Sequence, residues 1–283
     1  MKKFKDKVCL VTGAASGIGR STCEQLAHLG ASVVMADINF EQVEKTAAAL
    51  LKDGLKVKAV QLDVTDEPAF KKLIEETASE HSQLDYLFNY AGTAVIGETY
   101  DLTMDHWTKV FDVNFNGVAY GTFHAYQLMV KQGSGHIVNI SSVEGVLPFP
   151  NTVSYVGTKH AVIGLTESLW VEAADTGVDL TIICPGYIST PMLTDSEAIK
   201  TSAANWRGSF LVVLFKILSE ITPDKCAKLI LKSVAKKKVI VFTPKIGRLF
   251  WWNYRIWPVG YMRLMKFFHR LDRKRLKKLQ ASA

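Results

Sequence analysis

The chain has 283 residues, of which 48% are hydrophobic and 22% are charged. This composition predicts a globular protein with a large core and excludes disordered and collagen-like chains. The four cysteines lie far apart without metal-ligand spacing and are too few for a disulfide scaffold. Reducing, cytoplasmic surroundings are therefore expected.

The charge is distributed unevenly along the chain. The formal net charge is +7, but eleven Lys and Arg residues and a single Asp lie from Lys245 onward, which gives that segment +10 and leaves −3 on the residues before it. Such an asymmetry indicates an interacting extension over residues 245–283 rather than a basic enzyme. No apolar run reaches the roughly 18 residues of a membrane-spanning helix, and the run from Val8 to Val11 is too short for a signal peptide core.

Short apolar runs alternate with stretches of helical length between residues 7 and 244. Continuous apolar runs indicate strands that are buried on both faces, and the helices between them supply right-handed crossovers. The pattern predicts an α/β fold, a doubly wound parallel sheet of about seven strands with helices on both faces. The predicted strands are Val8–Val11, Ser32–Ala36, Val57–Leu62, Leu84–Asn89, His136–Ile140, Asp179–Cys184 and Val239–Phe242.

A glycine-rich segment, Thr12 to Gly19, follows the first strand and opens a helix. Glycines permit a tight turn and a close approach to a pyrophosphate, and a helix N-terminus adds unpaired N–H groups. A plain strand-to-helix turn is the alternative. Asp37 disfavours this alternative, because a carboxylate at the end of the second strand can bind an adenosine ribose. The same carboxylate would repel a 2′-phosphate. NAD(H) is therefore preferred to NADP(H), although Arg20, directly after the loop, is a base that a phosphate could use.

Further motifs follow the TGxxxGxG loop. They are Asp63-Val64, Asn89-Tyr90-Ala91-Gly92, Asn114, Ser142, the YxxxK segment Tyr155 to Lys159, and Pro185-Gly186 with Thr190. With these motifs the chain resembles the short-chain dehydrogenase/reductase family, in its compact single-domain form, over about residues 6 to 244. Tyr90 departs from the family's NNAG segment, in which the second residue is Asn.

The resemblance implies a Rossmann-type fold and a set of site residues. The catalytic residues would be Asn114, Ser142, Tyr155 and Lys159. The residues that contact the cofactor would be Gly13, Ser16, Gly17, Ile18, Gly19, Asp37, Asp63, Val64, Asn89, Ala91, Gly92, Tyr155, Lys159, Pro185, Gly186 and Thr190.

The chemistry can also be argued from the residue types. Hydride transfer from an alcohol needs a base for the hydroxyl proton, and the reverse reaction needs an acid of matched pKa. Tyr155 can be both, but a free tyrosine titrates at about 10, so that work at neutral pH requires roughly 4 kcal/mol of phenolate stabilisation. Lys159, one helical turn later, is expected to lower the pKa of Tyr155. Ser142 would hydrogen-bond the substrate oxygen, and Asn114 would hold a water that relays the proton.

Three further titratable residues lie outside the family motifs. Glu144 would either contact a polar group of the substrate or be solvated, and the second alternative is favoured. His124 and His160 are expected to be packed or surface residues, and no metal site is expected.

Residues 187–226 form a long insertion after the strand that ends at Cys184, before a helix whose start is signalled by Thr222-Pro223. An insertion at this edge of an α/β sheet can fold over a substrate. Its segment 208–218 is apolar nearly all round, which fits an ordinary packed helix or, as favoured here, a lid that lines an apolar pocket. An apolar alcohol or ketone is then the expected substrate.

The C-terminal extension combines its bases with aromatic side chains. These are Phe250, Trp251, Trp252, Tyr254, Trp257, Tyr261, Phe267 and Phe268. Such a mixture suits an anionic membrane surface, but the aromatic residues could equally pack on the body or across a subunit interface. Both alternatives stay open, and nucleic acid is the least favoured partner.

Together these observations predict an NAD-dependent oxidoreductase that interconverts an apolar secondary alcohol and a ketone or aldehyde. Its catalytic domain would span residues 1–244, followed by the extension 245–283. A catalytically silent NAD-binding scaffold or sensor is the alternative, which the intact Ser142, Tyr155 and Lys159 disfavour. The family resemblance implies a homodimer or homotetramer built on helices near 101–130 and 154–174. The expected location is cytoplasmic, with a peripheral position on a membrane as a further option.

Overall fold

A parallel sheet of seven strands forms the centre of the computed structural model, which describes residues 2–190, 192, 197–198 and 209–281. The strands in chain order are β1 (Val8–Thr12), β2 (Ser32–Asp37), β3 (Val57–Gln61), β4 (Tyr86–Asn89), β5 (Val95–Ile96), β6 (Gly135–Ile140), β7 (Val178–Pro185), β8 (Glu197–Ala198) and β9 (Ile240–Thr243). The short strands β5 and β8 pair with each other and stand apart from the main sheet.

The order of the main sheet is β3-β2-β1-β4-β6-β7-β9, and every neighbouring pair is parallel. The connections run in opposite directions from the β1–β4 pair. Open α/β sheets bind ligands beyond the carboxyl ends of the strands at such a reversal. All seven predicted strands form, and the predicted doubly wound fold is confirmed.

Helices cover both faces of the sheet. Those described are α1 (Gly17–His28), α2 (Phe40–Lys52), α3 (Glu67–His81), α4 (Met104–Phe111), α5 (Gly117–Gln132), α6 (Val153–Glu172), α7 (Phe210–Ser219), α8 (Pro223–Val234), α9 (Ile246–Ile256) and α10 (Pro258–Ala281). The apolar sides of α1, α2 and α8 build one core layer, and those of α3, α5 and α6 build the other. The expected start of α8 is confirmed, because Thr222 caps it and Pro223 is its first residue.

A π-helical turn, Asp112–Asn116, joins α4 to α5. The wider turn interrupts an otherwise continuous helix, and such interruptions are frequent at functional sites. Asn114 lies at the centre of this turn and is fully buried.

The C-terminal extension packs one face on the body. Helices α7, α9 and α10 contribute to a third apolar cluster beside β7 and β9. Tyr261 and Met265 of α10 are buried there, and Phe250, Trp251 and Tyr254 of α9 are partly buried. The packing alternative from the sequence is therefore right for these side chains, while the domain boundary at residue 244 stays a prediction. Within the described ranges, no helix is long and apolar enough to cross a bilayer.

Two helical glycines on the body differ sharply in their surroundings. A Cβ built on Gly121 of α5 would lie 2.5 Å from the buried ring of Phe70 and 2.8 Å from Asn89 Oδ1. A Cβ on Gly164 of α6 would meet nothing within 4 Å. The same substitution should therefore have opposite effects at the two positions.

We expect Gly121→Ala to destabilise the fold by about 1–3 kcal/mol, because α5 must move away from α3 and β4 to admit the methyl group. Gly164→Ala should stabilise it by about 0.5–1 kcal/mol, since alanine loses less backbone entropy in a helix. Urea unfolding of both variants measures the change through the transition midpoint. Equal effects at the two glycines would contradict the close packing of α5.

Candidate active site

A cavity of about 920 Å³ lies along the carboxyl edge of the sheet. Its wall includes the glycine-rich segment after β1, the end of β4, the start of α6 and the inner side of α7. All the predicted catalytic and cofactor residues line it, except Asn89 and Asn114. The fold therefore brings motifs that are far apart in the sequence into one cavity.

The backbone of the glycine-rich segment packs directly on the end of β4. Gly13 and Gly17 have φ values of +67° and +55°, which favour glycine. A Cβ on Gly13 would lie 2.7 Å from the backbone nitrogen of Ala91, and one on Gly19 would collide with the carbonyl oxygen of Gly13. Ser16 is the N-cap residue of α1 but makes no side-chain capping bond. The N–H groups of the first turn are thus left for an anion.

Asp37 lies at the end of β2, where two backbone N–H groups hold its carboxylate. Oδ2 accepts a hydrogen bond from the N–H of Ala15 at 2.9 Å, and Oδ1 accepts one from Asn39 at 2.9 Å. Arg20 lines the same cavity, but its Nε donates to Glu24 Oε1 at 2.8 Å. The base that the sequence left as a candidate phosphate partner is therefore engaged by a carboxylate.

The side chains of Asn89 and Tyr90, the first two residues of the NNAG-like segment, make contacts with other side chains inside the protein. The hydroxyl of Thr22 donates to Tyr90 Oη at 3.0 Å, and the Tyr90 ring stacks on Phe88 with centroids 6.0 Å apart. Asn89 Nδ2 donates to Asn139 Oδ1 at 2.8 Å, which ties β4 to β6. Because the Asn89 side chain is buried between these strands, its position gives no support to the predicted cofactor contact.

Ser142, Tyr155 and Lys159 come together in the cavity. Ser142 follows β6, whereas Tyr155 and Lys159 lie one turn apart on α6. Lys159 Nζ donates to the carbonyl of Ile140 at 2.9 Å and lies 5.5 Å from the centroid of the Tyr155 ring. The hydroxyl of Ser141 donates to the carbonyl of Lys159 at 2.8 Å, which fixes α6 against the end of β6.

Burial dominates the electrostatics of this group. It raises the pKa of the Tyr155 phenol well above its ordinary value, the Glu144 carboxylate raises it further, and a hydrogen bond with Ser142 lowers it. Burial also lowers the pKa of Lys159 to about 8. Stabilisation of the Tyr155 phenolate by Lys159 and by the positive charge of oxidised nicotinamide stays a prediction, since desolvation is the largest influence on this pKa in the protein alone.

The side chain of Asn114 is committed to its neighbours. Its Oδ1 accepts the N–H of Thr93 at 2.7 Å, and its Nδ2 donates to the Thr93 carbonyl at 2.8 Å and to Thr158 Oγ1 at 3.3 Å. A Cβ built on Gly92 would lie 3.3 Å from Asn114 Oδ1 and 3.8 Å from Lys159 Nζ, so Asn114 stands near the lysine. A water relay at Asn114 stays a prediction.

Glu144 lines the cavity, contrary to the expectation that it is solvated. Its Oε2 accepts a hydrogen bond from Thr152 Oγ1 at 2.7 Å. Burial raises the pKa of Glu144 to about 7, while the bond from Thr152 opposes this effect. The sequence offers no signal for this placement, because the short helical turn Val143–Gly145 that carries the side chain belongs to no motif.

The end of the cavity beside α7 is apolar. Val212 and Phe215 of α7 line it, and the Phe215 ring packs against Phe149 with centroids 5.4 Å apart. Ile96 of β5 lines the cavity as well and packs in the same apolar cluster. The apolar pattern of residues 208–218 predicts α7, whereas Phe149 and Ile96 stand outside any periodic pattern. Parts of the predicted insertion, residues 191, 193–196 and 199–208, lie outside the described residues.

The two histidines take up the expected packed or surface positions. His124 Nε2 lies 3.1 Å from Glu67 Oε1, and the ring of His160 bonds to the carbonyl of Val156 at 2.9 Å. In the part of the chain that the structure describes, no group of three His, Cys, Asp or Glu residues could hold a metal ion.

The cavity has the features that a dinucleotide requires. Its volume lies within the range of about 300–1,000 Å³ that is typical of small-molecule and cofactor sites. The uncapped N-terminus of α1 suits a pyrophosphate, and Asp37 suits a ribose. Lys159 and Tyr155 at the other end would then meet the reacting part of a nicotinamide cofactor.

Comparison with known proteins agrees with this geometry. The family model of the short chain dehydrogenases matches residues 7–200. Similar curated proteins include the cyclohexanol dehydrogenase of Acinetobacter sp., 38% identical over 198 residues (69% of this chain and 78% of that protein). The 3beta-hydroxysteroid dehydrogenase of Mediterraneibacter gnavus is 38% identical over 206 residues (72% and 74%), and the cis-4-hydroxycyclohexanecarboxylate dehydrogenase of Sinomonas cyclohexanicum is 38% identical over 196 residues (69% and 78%).

Solved structures show the same fold. A short chain dehydrogenase/reductase from Burkholderia phymatum in complex with NAD superposes with a TM-score of 0.81 at 27% identity and covers 89% of this chain and 93% of its own. Levodione reductase superposes with a TM-score of 0.77 at 27% identity and covers 87% and 99%. The chain therefore belongs to the short-chain dehydrogenase/reductase family.

Proposed function

We propose that the chain is an NAD-dependent enzyme that interconverts an apolar secondary alcohol and the corresponding ketone, or an aldehyde, with Tyr155 as general acid and base. One observation carries this proposal. Ser142, Tyr155 and Lys159 line the same cavity as the glycine-rich segment and Asp37. A proton acceptor and a dinucleotide site thus share one enclosed space.

An activity on CH–OH groups follows from the family and from the similar proteins, which are named as dehydrogenases of cyclohexanol, a 3beta-hydroxysteroid and cis-4-hydroxycyclohexanecarboxylate. The alternative of a silent NAD-binding scaffold gains nothing from the site. A scaffold has no need of a half-buried tyrosine hydrogen-bonded to a serine and followed by a buried lysine.

The mechanism assigns separate tasks to the three side chains. A nicotinamide cofactor held in this cavity would supply the acceptor or the donor of the hydride that the substrate carbon loses or gains. Tyr155 takes the hydroxyl proton during oxidation and returns it during reduction, and Ser142 donates a hydrogen bond to the substrate oxygen. Because burial disfavours the phenolate, any positive charge that enters this poorly screened cavity makes Tyr155 a better acid and helps it to hold negative charge.

Lys159 is held ready for a positioning and charge-stabilising task. One of its N–H groups is engaged by the carbonyl of Ile140. We assign the others to a ribose hydroxyl of the cofactor and to the path of the proton. With a pKa of about 8, the ammonium is mostly protonated at neutral pH and can lose its proton in slightly alkaline solution.

The substrate class follows from the apolar end of the cavity. Val212, Phe215, Phe149 and Ile96 would enclose a hydrocarbon skeleton, while Ser142 and Tyr155 would orient its single oxygen. A cyclic or long-chain alcohol or ketone fits this division between one polar end and an apolar wall.

The proposal also includes the choice of cofactor, the oligomeric state and the location of the protein. Asp37 supports NAD(H) over NADP(H), since the Arg20 guanidinium already pairs with Glu24. A homodimer or homotetramer built on α4, α5 and α6 is supported by the exposed Trp170 and Phe123. A cytoplasmic location is supported by the four free and buried cysteines.

We expect NADH to bind roughly tenfold or more tightly than NADPH, because a 2′-phosphate would lie beside the Asp37 carboxylate. Asp37→Asn should narrow this ratio while keeping an oxygen for the N–H of Ala15. Fluorescence titration with NADH and with NADPH measures the ratio of the two affinities. Glu41→Gln, on the exposed side of α2, is the matched control. A parent protein that prefers NADPH would overturn the cofactor assignment.

Tyr155→Phe should lower turnover by roughly 10²–10⁴-fold and leave the affinity for NADH nearly unchanged, because the phenol moves the proton. Lys159→Ala should reduce both quantities. Tyr100→Phe is the matched control, since Tyr100 is 95% exposed and lies outside the cavity. Steady-state kinetics with cyclohexanol and NADH titration separate the effects. Substantial activity in the Phe variant would mean that another group moves the proton.

Glu144→Gln should move the ascending, acid-side limb of the pH profile of kcat/KM for alcohol oxidation to lower pH, on the order of one pH unit. The sign follows from the Glu144 carboxylate, which raises the pKa of Tyr155 and therefore delays formation of the phenolate base. Glu172→Gln, on the exposed end of α6, is the control. A shift to higher pH would show that Glu144 assists the phenolate by another route.

A further inference from the structure

We propose that the outer faces of α7, α9 and α10 form a docking surface for an anionic lipid bilayer, and that α7 is the wall through which the cavity meets the membrane. On this view the enzyme takes an apolar alcohol or ketone directly from lipid. The second half of the proposal rests on the proposed function, whereas the docking surface stands on its own observations.

Helix α7 has two apolar faces. Val212 and Phe215 are buried and line the cavity, whereas Phe210, Val213 and Ile217 on the other side are exposed. Their spacing of three and four residues puts the exposed side chains on one stripe of the helix. A helix with apolar residues on both sides fits a wall between a substrate cavity and a second apolar environment.

Helix α9 repeats this arrangement. Phe250, Trp251 and Tyr254 face the body, but the opposite stripe consists of Leu249, Trp252 and Ile256, and Ile256 is 78% exposed. A helix that only covered the core would carry polar residues on this stripe. Trp257, directly after α9, is exposed as well.

Helix α10 carries an apolar stripe beside a basic one. Leu264, Phe267 and Leu271 are exposed large apolar residues with spacings of three and four. A basic stripe lies directly beside the apolar one, with spacings of three and four residues as well. It consists of four exposed residues, Arg263, Lys266, Arg270 and Lys274. This combination is typical of helices that lie in a lipid headgroup layer, with the apolar stripe in the acyl region and the bases on the phosphates.

The three helices are tied into one unit. The Phe210 and Phe268 rings stack with centroids 4.9 Å apart, and the N–H of Phe210 donates to Asp272 Oδ1 at 2.9 Å. The Phe215 and Phe250 rings lie 5.1 Å apart. Arg273 pairs with Glu98 at 2.9 Å, which fixes α10 to the body. The exposed stripes are therefore held in fixed positions relative to the cavity.

Charge argues for an anionic bilayer as the occupant. Asp272 is the one acidic residue from Lys245 onward, and it is buried against the start of α7. A second copy of the chain would bring two segments of charge +10 together across a two-fold axis, which like-charge repulsion opposes. The phosphates of a nucleic acid could pair with the Lys and Arg side chains. The exposed Leu, Ile and Val side chains would stay without partners, since only aromatic rings stack on nucleobases.

Co-sedimentation of the full chain tests the docking surface. The probes are vesicles of phosphatidylcholine alone and vesicles that also contain phosphatidylglycerol, at low and high salt. We expect binding to the anionic vesicles, a roughly tenfold loss for Arg263→Gln with Lys266→Gln, and a comparable loss for Trp252→Ser with Ile256→Ser. High salt should weaken binding and erase the effect of the charge variant.

Two controls match these variants. Leu51→Ser on α2 removes a large apolar side chain that is 54% exposed, close to the 47% of Trp252. Lys45→Gln with Lys52→Gln removes two exposed bases from α2. Both controls should sediment like the parent protein. The docking proposal is overturned if the parent stays in the supernatant with anionic vesicles, if the controls lose as much binding, or if the α9 variant instead dissociates an oligomer without lipid.

A kinetic comparison tests delivery from lipid. The substrates are cyclohexanol, which dissolves in water, and dodecan-2-ol carried in the anionic vesicles. The Trp252→Ser, Ile256→Ser variant should oxidise cyclohexanol like the parent but should lose several-fold in kcat/KM with dodecan-2-ol. Equal rates of the two proteins on dodecan-2-ol would overturn delivery. If neither alcohol is oxidised, the proposed function fails, while sedimentation still decides whether the surface binds lipid.

Discussion

The site depends on a close contact between two stretches of main chain, at the point where the connections of the sheet reverse direction. Between β1 and α1 the chain must pass so close to the end of β4 that a side chain on Gly13 or Gly19 would collide with main-chain atoms. This contact keeps side chains out of the space in front of α1, and the N–H groups of its first turn remain accessible. The ends of β6 and β2 carry Ser142 and Asp37 to the edge of that space.

Much of this arrangement could be predicted from the sequence because it depends on local signals. The apolar runs predict buried parallel strands, and the reversal of such a sheet brings the ends of β1, β2 and β6 to one edge. Spacing alone puts Tyr155 and Lys159 on one side of α6. Family motifs then predict the residues of the cavity wall, while the family model and the similar structures confirm the family and the fold.

What the sequence could not predict depends on burial and on contacts between distant residues. Glu144 turns inward because Thr152, eight residues later, binds its carboxylate. Asn114 and Asn89 match family motifs, but their side chains are taken up by Thr93 and Asn139. The pKa of Tyr155 depends on how completely water is excluded, which no pattern of residue types reveals. The two-residue strands β5 and β8 are too short to leave a periodic signal.

The hydrogen bond between Asp272 and the first N–H of α7 gives the C-terminal extension a share in the shape of the active site. A carboxylate at a helix N-terminus stabilises the start of that helix, so the cavity wall formed by Val212 and Phe215 is anchored by a residue some sixty positions further along the chain. A change in α10 that removes this hydrogen bond is therefore a change in the substrate pocket. Relatives that differ at the position of Asp272 should differ in the alcohols they accept even where every catalytic side chain is the same.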